Sequence, residues 1–540
     1  MPLALALAVL ICTAWAYLSN AYAYVDNGDG LYLYPAQRLA QDATLYREAV
    51  ATQPPLVYLL AATVFKAGWG VPGVRLLSVL MRALCVALVY LLGARLFARR
   101  IEGSLAALLY ALLPIGLTWD HWDNSNSPLT LVALLSAYAL LRLSPRAAIV
   151  SGVLAALALF TKDLYLPLLA ATLLYLWRVR RALLAPYLAA LFAGVSLLSG
   201  LLVLYGGAGA WRDAFLGQDS SPLNGDWLVA SLAYVTSLEG GLIVVAVVGV
   251  VLCLYPSPPT HDDWTLDPSR GSTVQCALPR QGAGSGGSDL LLARTYPGGA
   301  GVSPVPALDQ GWARSLRSHI TPNLRAGAAL FAPYFLLGSG AVLLATLKEG
   351  TFGTVFALAE PTVALLAAYA VVRAVQAIRA HRQHGPLWVG VLGLVCVSCL
   401  ALVGPDRDAL APSAASTANA ATVRDVTALI RRHAAPGTVV LVPPYYAVLT
   451  GTRLPYDVSD TYILAQHANH GDPVAIAWVR GMVGAVAHGR YPVVVVDRHI
   501  ALFAPVMAAL RRAYHPTYAN DLLPAVRSVV WLPGRVGSRS

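Results

Sequence analysis

The chain has 540 residues, 57% hydrophobic and only 12% charged, with a formal net charge of +11. Together with a mean hydropathy of +0.61, this excludes an ordinary soluble domain, in which roughly a quarter of residues carry charge. Nucleic-acid binding is not indicated either, because the positive charge sits in short arginine clusters between apolar runs, where membrane topology and anionic headgroups account for it.

About eleven apolar runs approach the roughly 20 residues needed to cross a bilayer core, at 2–19, 75–97, 104–118, 128–143, 147–161, 164–177, 182–205, 229–254, 326–347, 352–372 and 386–404. The clusters Arg95, Arg99 and Arg100, then Arg142 and Arg146, then Arg178, Arg180 and Arg181, then Arg373, Arg379 and Arg382 fall on alternate loops, which the positive-inside bias makes cytoplasmic. The other loops carry Asp26, Asp29, Asp120, Asp123, Asp163, Asp213, Asp219 and Asp226. The expected arrangement is a multi-pass protein of the plasma membrane with a cytoplasmic N-terminus and an extracytoplasmic C-terminal region. A signal peptide cleaved after Ala21-Tyr22-Ala23 is the rival reading of the first run, but the run lacks a basic start and is long enough to span.

The stretch "YVDNGDGLYLYP", Tyr24 to Pro35, places Asp26 and Asp29 just beyond that first run. Leu31, Tyr34 and Leu39 then recur near helical spacing, with interfacial tyrosines, which predicts a helix lying along the membrane surface. "QPPL" is expected to stop one helix and start the next, since proline has no amide proton and fits a first helical turn. Arg82, inside an apolar run, costs roughly 2.5 to 3.5 kcal/mol on insertion scales and so asks for a partner or a task. Glu239 and Glu360 are the comparable acids; a structural ion pair and recognition of an anionic headgroup are both open.

Polar groups gather at the ends of further runs in "TWDHWDNSNSP" (118–128), "FTKDLYLP" (160–167) and "LKEGTFG" (347–353). At one height they would ring a cavity with Trp119, Asp120, Trp122, Asp123, Lys162 and Lys348, where a sugar stacks on aromatics and a phosphate meets cations. The stretch from Pro256 to Thr321 is polar and low in complexity, which predicts a disordered cytoplasmic loop over about 256–325. Residues 1–404 otherwise form the membrane domain. Cys396 and Cys399 lie in an apolar run, where helix packing explains them better than metal or redox work.

Residues 405–540 alternate helix-like and strand-like stretches, including "VRDVTALIRRH", "GTVVLVPP", "YPVVVVD" and "AVRSVVWLP", and read as a small α/β domain. No glycine-rich phosphate loop follows a strand. His467 and His470 read as a solvated loop rather than a metal site.

At this point the residues resemble a family. "GDGLYLYPAQRLAQDATLYREAVATQPPLVYLL" with "VRLLSVL" is similar to the first outer loop of GT-C glycosyltransferases, a polytopic group that includes protein O-mannosyltransferases and bacterial lipid A aminoarabinose transferases. "FTKDLYLPLLAATLLYLW" resembles their lysine-bearing helix start, and "GTFGTVFALAEPTVALLAAYAVV" a late helix; the likeness spans about 1–250 and 326–404. It implies a mainly α, GT-C-like membrane protein that takes a sugar from a polyprenyl-phosphate donor and passes it, with inversion, to a lipid, glycan or protein acceptor on the extracytoplasmic side.

An acid in the first outer loop is implied as general base, taking the acceptor hydroxyl's proton. The family reads Asp-Glu-Gly there, whereas this chain has Gly28-Asp29-Gly30, so Asp29 or the displaced Asp26 must serve, with Asp123 assisting. Lys162, Arg82 and Lys348 are implied near the donor phosphate; Tyr32, Gln53, Trp119, Asp120 and Trp122 near the substrates. Gln53 stands near a position that carries a metal-binding glutamate in some relatives, so a divalent cation, Mg or Mn, is left open, as is a degenerate, inactive relative. A transporter or flippase of a lipid-linked or polar solute is the competing class, and would show internal repeats, which are not evident.

Overall fold

Proline and glycine set most helix starts in this chain, and the computed structural model shows where they do. It describes residues 27–97, 100–113, 115–116, 126–216, 223–254, 330–338, 353–379, 414–497, 500–519 and 529–534, with short stretches between 340 and 397. Helix α1 (Asn27–Ala40) is followed by α2 (Leu56–Lys66), α3 (Gly70–Leu96) and α4 (Arg100–Ala111). Then come α5 (Asn126–Leu140), α6 (Pro145–Leu159), α7 (Leu166–Val179), α8 (Leu184–Gly206), the short α9 (Ala210–Leu216), α10 (Gly225–Leu254) and α11 (Glu360–Arg379). Pro145 sits in the first turn of α6, whose cap Ser144 accepts from the Ala147 N–H, and Pro167 likewise opens α7.

Among the described residues, four helices are long and apolar enough to cross a membrane (Gly70–Leu96, Arg181–Gly206, Gly225–Cys253 and Glu360–Ile378), and α5 and α6 are shorter apolar helices. The protein is a multi-pass membrane protein, mainly α. The first run, 2–19, and the loop at 256–325 lie outside the described residues, and the runs at 326–347 and 386–404 are described only in part. Arg180 donates to the Leu143 carbonyl at 2.8 Å, so the basic turns at 142–146 and 178–181 share one end of the bundle.

The C-terminal part comprises α12 (Ala414–His433), α13 (Pro444–Thr450), α14 (Thr461–Asn469), α15 (Pro473–Ala487) and α16 (Ala504–Ala513). Its strands β1 (Val494–Val496), β2 (Tyr514–Ala519) and β3 (Val529–Pro533) form an antiparallel sheet in the order β1-β3-β2. "GTVVLVPP" makes no regular strand. It contributes single bridges from Val439 to Arg453 and from Leu441 to Val494, because Pro443 and Pro444 offer no N–H to a ladder and Pro444 starts α13 instead.

One hydrophobic core fills the helix bundle and another lies within the C-terminal part, while a third joins the two, running from Tyr32, Leu33 and Tyr34 of α1 to Val442, Tyr445 and Val448. The helix expected here forms, but it is covered by protein rather than half-exposed. Tyr32 to Ala36 are all buried, without the one-sided stripe of a surface helix. The reason is cover on two sides: Tyr32 stacks on Tyr58 of α2 with ring centroids 5.9 Å apart, and α13 packs on the other face. The helix also ends at Ala40, where Asp42 adopts a left-handed φ of 65°, so "QPPL" only starts α2.

Gly30 explains the closeness of α13. A Cβ there would lie 2.7 Å from the Tyr445 N and 2.8 Å from the Pro444 Cβ. Gly30→Ala is therefore expected to cost about 1 to 3 kcal/mol as overpacking. Thermal unfolding in detergent checks this, and an unchanged midpoint would mean that α1 and α13 separate freely.

Candidate functional site

α6 ends in a turn that turns a lysine back across the bundle. Thr161 donates its hydroxyl to the Leu157 carbonyl at 2.9 Å, the Lys162 N–H reaches the Ala158 carbonyl at 3.0 Å, and Asp163 to Tyr165 make one tight turn into α7. The Lys162 ammonium donates to Asn126 Oδ1 at 3.3 Å, at the first residue of α5. Two residues earlier, the Phe160 carbonyl accepts the Leu56 N–H at 3.1 Å, at the first residue of α2. The end of the first loop, the start of α5 and the end of α6 thus meet at one point. Desolvation lowers the Lys162 ammonium to a pKa of about 8. Beside this junction a shallow hollow is lined by Val57, Ala61, Val74, Ser78, Met81 and Pro128.

Arg82 lies in α3 with its side chain and that of Glu360 wholly buried, and the two pair at 2.9 Å. The guanidinium also donates to the Tyr110 carbonyl at 2.6 Å and sits 3.7 Å over the Tyr110 ring. The two buried glutamates hold consecutive backbone amides: Glu360 accepts from Gly116 at 2.6 Å and Glu239 from Ile115 at 3.3 Å. A Cβ at Gly116 would fall within 2.5 Å of the guanidinium, so glycine there lets the chain pass across Arg82. Of the two roles open for Arg82, the structure displays the ion pair. That pair fixes the chain where it leaves for "LTWDHWDNS", and Asn126 fixes it where it returns.

A third group of contacts clamps α1 to the C-terminal part. Asp457 accepts from the Tyr34 hydroxyl, from Arg38 Nε at 3.1 Å and from Arg453, while the Leu454 N–H donates to the Tyr34 oxygen at 2.8 Å. Burial, then the bond to Asp457, pushes the Tyr34 phenol well above its ordinary pKa. Gln37 Nε2 adds a bond to the Val448 carbonyl at 3.1 Å.

Among the residues singled out in the sequence, Asp29 falls in the first turn of α1, with its side chain outside the description. Asp26, Trp119, Asp120, Trp122, Asp123 and Lys348 lie outside the described residues altogether. Tyr32 is buried against Tyr58. Gln53 is buried too, its carbonyl accepting from the Tyr46 hydroxyl at 2.6 Å.

Three groups were not foreseen as site residues. Nothing in the first-loop stretch sets Tyr46 apart from its other tyrosines, and nothing in "LPYDVSD" marks Asp457. Asp213, on α9, is a half-buried carboxyl raised above its usual range by desolvation, with Arg212 and His467 opposing; as one aspartate among many it carried no distinguishing signal. His467 lies 3.5 Å from Asp472, and among the described residues no three His, Cys, Asp or Glu converge as metal ligands.

A family model for dolichyl-phosphate-mannose-protein mannosyltransferases matches residues 52–205, a segment that contains Gln53, Arg82 and Lys162. The crystal structure of ArnT from Cupriavidus metallidurans bound to undecaprenyl phosphate superposes with a TM-score of 0.55 at 13% identity, covering 99% of this chain and 98% of that one. The chain shares the fold of ArnT. The apo form of the same ArnT gives 0.55 at 14% identity, covering 97% of each chain. No curated protein matches the sequence. The Lys162 junction, the Arg82 cluster and the clamped α1 all belong to one compact unit.

Proposed function

We propose that the chain is an integral-membrane glycosyltransferase that moves a sugar from a polyprenyl-phosphate donor to an acceptor hydroxyl on the extracytoplasmic side, with inversion. The observation that carries this reading is the meeting of Lys162 with the end of the first loop and the start of α5. A half-buried ammonium beside a mainly apolar hollow suits a ligand with an anionic head and a hydrocarbon tail, and the similar ArnT structure holds undecaprenyl phosphate.

In this reading the acceptor oxygen attacks the anomeric carbon while Asp29 takes its proton, with Asp26 as the alternative base. The bond from that carbon to the phosphate oxygen breaks, and its electron pair leaves with the lipid phosphate, whose growing charge Lys162 holds. Lys348 would add a second cation. Arg82, spent on Glu360 and Tyr110, positions the loop that carries Trp119, Asp120, Trp122 and Asp123. Gln53, a neutral amide, is a weaker ligand for a divalent cation than a carboxylate would be.

The test is transfer of a labelled sugar by purified protein from a panel of polyprenyl-phosphate sugars to lipid, glycan and peptide acceptors. Transfer with release of polyprenyl phosphate supports the reading. No transfer from any donor by folded protein, with movement of lipid-linked sugar across vesicle membranes, would favour the transporter class.

The Lys162 pKa adds a pH dependence. An ordinary lysine stays charged to about pH 10, but a group lowered to about 8 is an ammonium below that pH and is lost above it. Affinity for a phosphodiester donor, whose own charge is constant over this range, is expected to be flat below about pH 7 and to weaken by up to roughly tenfold per unit above 8. Lys162→Arg should remove that dependence. A flat profile to pH 10 in the wild type would take Lys162 away from the phosphate.

A further inference from the structure

We propose that Asp457 of the C-terminal part is a positioning residue for α1, setting where the helix that begins with the "NGDG" motif presents Asp29. The inference rests on the glycosyltransferase reading above for what Asp29 does, and on geometry alone for what Asp457 does. Its carboxylate accepts from Tyr34 and Arg38, both on α1, and from Arg453 of its own domain. Its backbone carbonyl accepts the Val50 N–H at 3.2 Å, and Ser459 donates to the Val50 carbonyl at 3.3 Å. One residue thus grips both the helix and the loop that follows it. Tyr34 is five residues beyond Asp29, about 7.5 Å along a helix axis, so a tilt at the clamp moves the first turn directly.

The clamp is itself braced. Tyr456 and Asp457 take left-handed φ values of 57° and 52°, a region unfavourable for residues with a Cβ and kept only where the surroundings dictate it. The surroundings do so here: Tyr456 stacks on Trp478 of α15 with ring centroids 5.5 Å apart and planes 10° apart. Pro455 fixes the residue before it. The strained turn therefore points the carboxylate at α1 from a rigid helix, where a flexible loop would yield. The side chain of Asp457 keeps only 6% of its surface exposed, and that of Arg38 14%, so water competes little for the pair.

A merely structural contact would alter stability alone, whereas a positioning contact alters turnover at constant donor binding. In Asp457→Asn, kcat is expected to fall about 10- to 100-fold, the scale of a misplacement near 1 Å, while the Kd for polyprenyl phosphate stays within about twofold. Amide exchange over residues 30–40 should quicken while exchange over α6 stays as in the wild type. Tyr34→Phe, which keeps Arg38, should give a smaller effect in the same direction, and Asp457→Glu should recover part of kcat.

A kcat for Asp457→Asn within threefold of wild type, or a joint loss of donor binding, kcat and global stability, would overturn the proposal. If the wild type transfers no sugar, the functional reading fails by itself, and amide exchange of α1 in Asp457→Asn still decides the coupling. Unchanged exchange there would sink it.

Discussion

Asp29→Asn is expected to lower kcat by about 10² to 10⁴, the range of a lost general base, with little change in donor affinity. An amide cannot take the acceptor proton but fills the same space. The fold suits the role, because Gly30 presses the first turn of α1 onto Pro444 and Tyr445 and so restrains the segment that Asp29 occupies. The measurement is single-turnover transfer at saturating donor, with Asp26→Asn beside it. A drop in Asp26→Asn with Asp29→Asn near wild type would move the base three residues upstream. Comparable small drops in both would leave the proton to another group, and Asp213, whose carboxyl desolvation already raises, is the next variant to make.

Much of this arrangement was legible from residue order, and the exceptions have physical causes. Arg82 announced itself because a guanidinium in an apolar run must be paired, and its partner was one of the two acids named beforehand. Lys162 stood out differently, among the polar groups gathered at the ends of apolar runs and in the likeness of "FTKDLYLP" to a lysine-bearing helix start. The C-terminal helices followed the periodicity of "VRDVTALIRRH" and "DPVAIAWVRGMVGAVA", while "GTVVLVPP" misled, since hydrophobic alternation does not reveal whether a partner strand supplies a ladder. The two-sided burial of α1 was invisible because it depends on α13, more than 400 residues away in the chain, as in the bond from Gln37 to Val448. Asp457 was unreadable for a related reason. "LPYDVSD" has the composition of a turn, and only the fold brings Tyr34 and Arg38 to it.

Removing Arg82 should have the largest effect on stability. In Arg82→Leu, Glu360 keeps the Gly116 amide but loses its cation in a wholly buried setting, and breaking one partner of such a pair costs about 3 to 5 kcal/mol. The same change removes the donor to the Tyr110 carbonyl and the ring contact above it. The expected result is a marked fall in the thermal midpoint in detergent. Arg82→Leu combined with Glu360→Gln should recover a large part of it, since an apolar residue facing a neutral amide removes the charge that Arg82 compensated at position 360. The double variant also separates fold from function. The amides of Ile115 and Gly116, which Glu239 and Glu360 hold, lie at the root of the loop bearing Trp119 and Asp123. Because a neutral glutamine holds Gly116 more weakly than a carboxylate does, the double variant should stay folded yet transfer sugar more slowly than wild type. Full turnover at restored stability would show that the cluster serves only the bundle.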